Sequence, residues 1–395
     1  MFTYKMPTEL FFGRGTASRI GEKVLGLGGK KAFIVTDKGV VGAGLLGTIE
    51  ESLKKSDISC VVFDEVESDP SIETVAKGTE LLKEAECNIV LGVGGGSAMD
   101  TGKAIAAMAT NPGKIFDYVG IDKIKNNILP FIAVPTTSGT GSEATYWAVL
   151  TDKKTKFKTG VGGWAMMPAM AILDPLLTKA LPPKITAFTG MDALTHAMES
   201  YVCKATQPVS EGLALHSIRL IARSLRKAVA NGDDIDARED MLMGSLLAAM
   251  AFNVTRLGLA HAFAMPLGSK FNIPHGLVNA ILLPHVMEFN LMAIPEKYIE
   301  IADIFGESTD NMTQMEAAYK SVEAVKKLMK DIGITQGLGD YGVNELNIRS
   351  IAEEAYTSGN VTVNPRKSTV EDMIEIAVKS IKGIKPNHED FKEYL

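Results

Sequence analysis

The sequence predicts an α/β domain with a parallel sheet, followed by an all-helical domain. In the first half, short apolar runs alternate with longer segments of helical periodicity, which is typical of parallel strands joined by crossover helices. In the second half, strand-like runs largely disappear after Leu181-Pro182-Pro183 and long helical patterns follow. The chain of 395 residues, 46% of them hydrophobic, is long enough to form two cores. We therefore assign residues 1–181 to the α/β domain and residues 182–395 to the helical domain.

Each predicted element rests on its own stretch of sequence. Runs rich in Val, Ile and Phe predict five strands, at residues 31–37, 58–64, 87–96, 129–137 and 169–175. Periodic apolar positions predict helices at residues 72–86, 98–109, 185–202, 209–229 and 238–263. The runs IVLGV and IAVP are almost continuously apolar, so we expect a doubly wound sheet that helices cover on both faces.

Composition and charge exclude several classes of protein. The net charge is −6 and no basic stripe is present, so we expect no binding to nucleic acid. The longest apolar runs fall short of the ~18 residues that a membrane span needs, and the N-terminus has no secretory signal pattern. The three cysteines, Cys60, Cys87 and Cys203, are far apart, which argues against a disulfide framework. These features predict a cytoplasmic protein with free thiols and no membrane partner.

A glycine loop follows the third predicted strand. Gly94, Gly95 and Gly96 let the backbone approach a ligand closely, and the start of the next helix offers backbone N–H groups to a pyrophosphate. An alternative is purely structural, because Ser97 and Asp100 match the S-x-x-D pattern of a capping box. The loop alone is therefore a modest signal, since it has neither the G-x-G-x-x-G fingerprint nor the P-loop ending.

Two further elements support dinucleotide binding. A hydroxyl-rich loop, residues 135–143, follows another buried strand, and its Thr136 and Thr137 could donate hydrogen bonds to phosphate or ribose. Asp37 ends the first predicted strand, where a carboxylate could bind an adenosine ribose and repel a 2′-phosphate. Taken alone, Asp37 is equally well explained as a helix cap or turn residue.

Four residues of the second half have the chemistry of a metal site. Asp192 and His196 are four apart on a predicted helix and so share one face, and His261 and His275 lie in two mostly apolar segments. A buried imidazole needs a partner, and one divalent cation would satisfy all three histidines together with the carboxylate. Any one of these histidines alone would be better explained as a core residue. Glu199 could orient a ligand or be an ordinary helix residue.

With these motifs in order, the chain resembles the iron-dependent (group III) alcohol dehydrogenases. The likeness runs from MPTELFFGRG through GGGSAMDTGKA, PTTSGTGSEAT and MDALTHAMESY to PHGLVNAILLPHVMEFN, about the first three quarters of the chain. The resemblance implies the fold shared with dehydroquinate synthase, an N-terminal NAD-binding domain, and a nicotinamide site in the cleft facing the metal. It also implies homodimers or larger homo-oligomers.

The resemblance assigns roles to individual residues. Asp192, His196, His261 and His275 hold the catalytic metal, which is iron(II) in this family, although the same ligands also suit zinc. Asp37 becomes a selector of NAD over NADP. The cofactor set that the resemblance implies, together with the first glycine of the loop, is Asp37, Gly94, Gly95, Gly96, Ser97, Asp100, Thr136, Thr137, Thr140, Thr145 and Lys158.

One position departs from the family pattern. The family usually has a second histidine four residues after the third ligand, whereas this chain has Met265. The change removes a possible proton-relay group and leaves the metal ligands intact. Trp147, Phe252 and Met265 indicate a partly apolar substrate pocket, and Arg256 could reach an anionic group or be a surface residue.

The expected reaction is reversible hydride transfer between NAD(H) and a small primary alcohol or its aldehyde, with the metal as Lewis acid. We expect the enzyme to act as an aldehyde reductase, and a short anionic aldehyde (carboxylate, sulfonate or phosphonate) is the leading refinement. Two alternatives stay open: a dehydroquinate synthase-like lyase that uses NAD transiently, and a non-catalytic scaffold that binds metal and NAD.

Overall fold

The computed structural model describes residues 1–153 and 157–384, which form two compact units. The first unit comprises Met1–Leu181 together with Gly232–Asn253, and the second comprises Pro182–Asn231 and the chain from Val254 onward. The strands, in chain order, are β1 Glu9–Phe12, β2 Lys31–Val35, β3 Ser59–Phe63, β4 Ile89–Gly94, β5 Gly120–Ile121, β6 Phe131–Pro135, β7 Trp147–Asp152, β8 Phe157–Gly162 and β9 Met170–Leu173. All five predicted strands are confirmed, and β1, β5, β7 and β8 are additional.

The helices follow the same order along the chain. Those up to residue 110 are α1 Ile20–Gly26, α2 Lys38–Gly42, α3 Gly47–Lys55, α4 Ile72–Glu84 and α5 Gly96–Thr110. The later ones are α6 Pro183–Val202, α7 Pro208–Ala230, α8 Ile235–Thr255, α9 Leu259–Phe271, α10 His275–Asn290, α11 Pro295–Ile304, α12 Gln314–Asp331, α13 Ile348–Tyr356, α14 Gly359–Val363 and α15 Val370–Lys379. Every regular element described in the second unit is a helix, which confirms the predicted fold class.

The main sheet of the first unit has the order β1-β9-β6-β4-β2-β3 and is parallel at every pairing. Alternate residues of β2 face opposite sides, because side chains alternate along a strand. Phe33 packs in one apolar cluster with residues of α4 and α5, whereas Ile34 packs in another with residues of α1 and α3. The sheet is therefore buried on both faces, as the continuous apolar runs predict.

A smaller sheet has the order β5-β8-β7, with β7 and β8 antiparallel. Strand β7 ends at Asp152 and β8 begins at Phe157, and residues 154–156 between them lie outside the described part of the chain. All three cysteines are free, as predicted.

Helix α8 corrects the predicted domain ranges. Residues Gly232–Asn253 group with the first unit, although the sequence assigns them to the helical domain. The reason is an apolar cluster in which Leu242 and Leu246 of α8 pack with Ala171 and Leu173 of β9. Helical periodicity identifies the buried face of such a helix and cannot identify the unit against which that face packs.

The predicted helix at residues 238–263 is also wrong, because the structure breaks it into α8 and α9. Arg256 lies between the two helices and has a φ of 66°. A positive φ is costly for an arginine, so contacts made by the surrounding residues must hold the break. Those contacts come from α6 and belong to the site described below.

Helix α10 with its following turn, His275–Ala293, is long and apolar enough to cross a membrane. Helices α8 and α9 also meet these criteria of length and composition if they are counted as one bent span. In the first case 67% of the apolar window is buried inside the protein. A buried helix in the core of a protein has the same length and composition, so these two properties are only weak evidence for a membrane-spanning helix.

Candidate metal centre and cofactor loops

Three of the predicted metal ligands converge in the second unit. Asp192 comes from α6, His261 from the first turn of α9, and His275 is the first residue of α10; their ligand atoms all lie within 4.8 Å of one another. The Nε2 atoms of both histidines are 3.7 Å from Oδ1 of Asp192. Ligand atoms at ~2.1 Å around one tetrahedral ion stand about 3.4 Å apart, so this donor set fits a divalent metal.

Asn279, which the sequence did not single out, lies at the centre of this group. Its Nδ2 lies 2.7 Å from Oδ1 of Asp192, 2.9 Å from Nε2 of His261 and 3.3 Å from Nε2 of His275. One amide group has two hydrogens for these three acceptors, and its own Oδ1 is buried without a hydrogen-bond partner in the described chain. The polar atoms gathered here are a carboxylate oxygen, two imidazole nitrogens and an amide, a set that fits around a bound cation. The four-residue spacing from His275 on one helix was the signal that could have identified Asn279.

The carboxylate of Glu199 lies behind His261 and is almost fully buried. Its Oε2 is 2.7 Å from Nδ1 of His261 and accepts a hydrogen bond from the backbone N–H of Gly258 at 2.8 Å, while Oε1 accepts from the N–H of Ala260 at 2.7 Å. The carboxylate of Glu199 thus contacts both the ring of His261 and the backbone at the start of α9.

His196, the fourth predicted ligand, is buried and stacks its ring on that of His261, with centroids 4.5 Å apart. It lies beside the convergent set of three ligand atoms and is not one of them. Met265 follows His261 by one helical turn on α9 and is half-buried. The rings of His196 and His261 thus lie next to each other, and the thioether of Met265 lies one turn further along α9.

Opposing charges dominate the electrostatics of this centre. Burial would raise the pKa of Asp192, but His196, His275 and His261 outweigh it and hold that pKa far below its ordinary range. Burial would lower the pKa of His261, but Glu199 and Asp192 outweigh it and raise that pKa to about 9. Two buried carboxylates thus give the centre a strong attraction for positive charge.

The two predicted cofactor loops lie side by side in the first unit. Strands β4 and β6 are parallel neighbours with Gly94 opposite Pro135, so the loops that follow them leave the same edge of the sheet. A Cβ placed on Gly96 would lie 2.8 Å from Cγ2 of Thr140, and one on Gly95 would lie 3.5 Å from Cγ2 of Thr137. The glycines therefore permit close packing of the two loops.

The structure rules out the capping-box alternative for the glycine loop. Helix α5 has Gly95 as its N-cap, and no side chain caps its first turn. The hydroxyl of Ser97 donates instead to the carbonyl of Ser68 at 2.6 Å. Asp100 accepts bonds from the Ser142 hydroxyl at 2.5 Å and from the N–H of Val149 at 2.9 Å. The start of α5 thus keeps the uncapped N–H geometry that suits an anion.

Asp37 is a helix cap, the simpler of its two sequence interpretations. Its Oδ1 accepts from the N–H groups of Gly39 at 2.8 Å and Val40 at 3.0 Å, at the start of α2. Its Oδ2 faces the glycine loop, because a Cβ on Gly94 would lie 3.4 Å from it. The hydrogen bonds to α2 therefore hold the carboxylate of Asp37 beside the glycine loop, with Oδ2 facing that loop.

Lys103, also missed from the sequence, connects α5 to the hydroxyl-rich loop. Its fully buried Nζ donates to the Ser142 hydroxyl at 2.7 Å and to the carbonyls of Thr145 at 3.0 Å and Trp147 at 2.8 Å. Burial lowers the pKa of Lys103 to about 8. Asp100 is part of the same network. These two charged side chains fix the loop, and the lysine in GGGSAMDTGKA was the visible signal.

The remaining predicted residues take varied positions. Thr136 and Thr145 are buried, and Lys158 pairs with Asp69 at 2.5 Å. Trp147 packs on the backbone of β8, and Phe252 packs against the apolar cluster of α8 and β9. Arg256 is exposed at the α8–α9 break, with its guanidinium beside Gly359.

Comparison with known proteins identifies the class. Residues 7–175 match the family described as iron-containing alcohol dehydrogenase, and residues 186–381 match the C-terminal part of the Fe-containing alcohol dehydrogenase family. The two matches cover both units and define an oxidoreductase that acts on alcohols.

The chain belongs to the iron-containing alcohol dehydrogenase family, whose members use NAD and iron. It is 46% identical over 378 residues to the 1,3-propanediol dehydrogenase of Citrobacter freundii, covering 95% of this chain and 98% of that one. A crystal structure of 1,3-propanediol oxidoreductase matches with a TM-score of 0.94 and 44% identity, over 96% of this chain and 100% of that one. The sulfoacetaldehyde reductase of Bifidobacterium kashiwanohense in complex with NAD+ matches with a TM-score of 0.87 and 30% identity, over 96% and 99%.

Proposed function

We propose that the protein catalyses reversible hydride transfer between NAD(H) and a small primary alcohol or its aldehyde, acting mainly as an aldehyde reductase. The observation that carries this proposal is the convergence of Asp192, His261 and His275 on one point that needs a cation. The family assignment favours the dehydrogenase over the lyase and the scaffold, because its relatives are named for alcohol and aldehyde chemistry.

We assign the metal to Asp192, His261 and His275, with His196 as the fourth ligand. A metal bound there would polarise the substrate oxygen as a Lewis acid, and the cofactor would donate the hydride as NADH in aldehyde reduction or accept it as NAD+ in alcohol oxidation. Asp192 contributes the negative charge that offsets part of the metal's charge, and the imidazoles contribute neutral donors. Iron(II) is the family's metal, and zinc fits the same donors.

We assign the pyrophosphate of NAD to the N-terminus of α5. The uncapped first turn and the close packing of Gly95 and Gly96 on the neighbouring loop support this assignment. The free side of Asp37 would accept hydrogen bonds from the adenosine ribose, and its charge would repel a 2′-phosphate. The proposed preference is therefore NAD over NADP.

For the substrate, we propose the aldehyde of 1,3-propanediol first. The support is the high identity to the two 1,3-propanediol dehydrogenases, 46% and 44%. A short anionic aldehyde is the second candidate. It is favoured by the exposed guanidinium of Arg256 and by the likeness to the sulfoacetaldehyde reductase.

The test is anaerobic NADH oxidation by protein reconstituted with iron(II) or zinc. The aldehyde panel has matched chain length and differs only in its terminal group: methyl, hydroxyl, carboxylate, sulfonate or phosphonate. Highest kcat/KM for the hydroxyl aldehyde supports the first candidate. Preference for one anion that Arg256→Ala abolishes and Arg256→Lys retains supports the second.

Two outcomes would overturn the proposal itself. Turnover without net NADH consumption would indicate the lyase. No turnover with any aldehyde, despite one metal and one NAD per chain, would indicate the scaffold.

We also propose that the chain works as a homodimer or larger homo-oligomer, as its family resemblance implies, and that it works in the cytoplasm. Light scattering of the purified protein measures the oligomeric state directly.

A further inference from the structure

We infer that Glu199 is a positioning residue that fixes the ring and the tautomer of His261 for metal binding. The inference rests on the metal centre of the proposed function. Glu199 is 3% exposed, and its carboxylate receives the backbone N–H groups of Gly258 and Ala260 as well as the Nδ1 side of His261. It thus contacts the ligand and the start of the ligand's own helix.

The hydrogen-bond inventory determines the tautomer. Both backbone N–H groups can only donate, so the carboxylate oxygens facing them must accept. Oε2, which accepts from Gly258, is also the atom 2.7 Å from Nδ1 of His261, so it is placed to accept a second hydrogen bond there. Nδ1 of His261 therefore carries a proton, which leaves Nε2, the nitrogen on the side of Asp192 and His275, as the atom that can bind a metal.

The same carboxylate also determines where α9 begins. A Cβ on Gly258 would lie 2.8 Å from Oε1 of Glu199, so only glycine fits against the carboxylate at this position. His261 lies in the first turn of α9, only a few residues beyond Gly258. Glu199 therefore determines both where His261 lies along α9 and how its ring is oriented.

Glu199→Gln is a sharp perturbation because it keeps the size and removes one acceptor. If the amide NH2 takes the place of Oε1, it faces the N–H of Ala260. If it takes the place of Oε2, it faces the N–H of Gly258 and favours the opposite tautomer of His261, with a proton on Nε2. In either orientation the NH2 group faces a backbone N–H group, and because both groups are donors, no hydrogen bond forms between them.

Ser200 offers a matched control. It is the next residue of α6, fully buried, and its hydroxyl lies 2.9 Å from that of Thr255 at the same helix break. Ser200→Ala therefore loosens the break without removing a contact to His261. A loss of metal in both variants would trace to the break, and a loss in Glu199→Gln alone would trace to the ligand.

The experiment is a chelator-competition titration of metal-free protein with Zn²⁺ and Co²⁺, read by metal bound per chain and by the Co²⁺ visible spectrum. We expect Glu199→Gln to bind about 10–100-fold more weakly than the parent, with an altered Co²⁺ spectrum. Ser200→Ala is expected to bind like the parent. The unfolding midpoints of the metal-free proteins check that the variants fold.

Equal metal affinity in Glu199→Gln and the parent would overturn the inference, and so would equal losses in Glu199→Gln and Ser200→Ala. If Glu199→Gln does not fold, Glu199→Asp takes its place, because it keeps the charge but is one methylene too short to reach all three donors. Weaker metal binding by Glu199→Asp supports the inference, and parent-like binding refutes it. Failure of the proposed function is distinct, because the parent itself would then bind no metal.

Discussion

Glu143, at the end of the hydroxyl-rich loop, carries a carboxyl group that is poorly accommodated when ionised. Its side chain is 1% exposed, and its Oε1 has no hydrogen-bond partner in the described part of the chain. Burial raises its pKa from 4.5 to about 7, although its own backbone N–H and Lys103 oppose the rise. Glu143→Gln replaces the carboxyl group with a neutral group of equal size.

The pKa change gives the sign and the size of the effect. Between pH 4.5 and 7 the unfolded chain releases this proton and the folded chain keeps it, so the stability of the parent falls as pH rises. At ~1.4 kcal/mol per pKa unit, the loss is about 3 kcal/mol at pH 7.5 and about 1 kcal/mol at pH 5. Glutamine cannot ionise, so we expect the variant to be more stable than the parent by these amounts.

Thermal unfolding with a chelator present, at pH 5 and pH 7.5, measures the difference. For a domain of 150–250 residues, about 3 kcal/mol raises Tm by roughly 6–12 °C, and about 1 kcal/mol by roughly 2–4 °C. Glu67→Gln is a control of opposite sign. Burial would raise the pKa of Glu67, but the Lys153 ammonium and the hydroxyls of Thr74 and Ser71 outweigh it and lower that pKa, so loss of the carboxylate destabilises the fold at pH 7.5.

A Tm difference between Glu143→Gln and the parent that is the same at both pH values would refute the reasoning. A variant less stable than the parent at pH 7.5 would also refute it. Either result would mean that Glu143 stays ionised in the fold and that Lys103 compensates its burial fully.

Three further predictions follow from contacts in the two sites. His275→Ala should lose its metal, measured as metal per chain after dialysis, while NADH binding by fluorescence is retained; a full metal complement would remove His275 from the ligand set. Gly96→Ala should weaken NADH binding by more than about tenfold, because its Cβ would lie 2.8 Å from Thr140, and parent-like affinity would show that the loop yields. Lys103→Met should cost about 3 kcal/mol of unfolding free energy in urea titrations, because Ser142 and two carbonyls lose their buried donor. A cost under about 1 kcal/mol would show that the network is redundant.

The strands of the first unit were predictable because their information is local. A run such as IVLGV is apolar at every position, and the structure buries all of β4. The convergence of Asp192, His261 and His275 was predictable for a related reason, since imidazole and carboxylate groups in apolar surroundings need a polar partner.

The missed features depend on partners far away in sequence. The helix break at Arg256 is held by Glu199, and Lys103 finds its acceptors about 40 residues later. Asn279 acquires meaning only when α6, α9 and α10 bring their ligands around it. Local periodicity carries no information about contacts between residues far apart in sequence. The prediction that α8 belongs to the helical domain was wrong for the same reason.

The assignment of α8 to the first unit has a consequence for synthesis of the chain. The ribosome completes β9 at Leu173 well before it makes Leu242 and Leu246, which cover Ala171 and Leu173 in the finished fold. A nascent chain ending near Leu181 therefore has its whole parallel sheet and an uncovered apolar patch. The patch is covered only after residues 182–231 and then α8 have been synthesised. The first unit is therefore completed only after part of the second has been translated. A fragment cut at Leu181 would keep the patch exposed permanently and would be expected to aggregate.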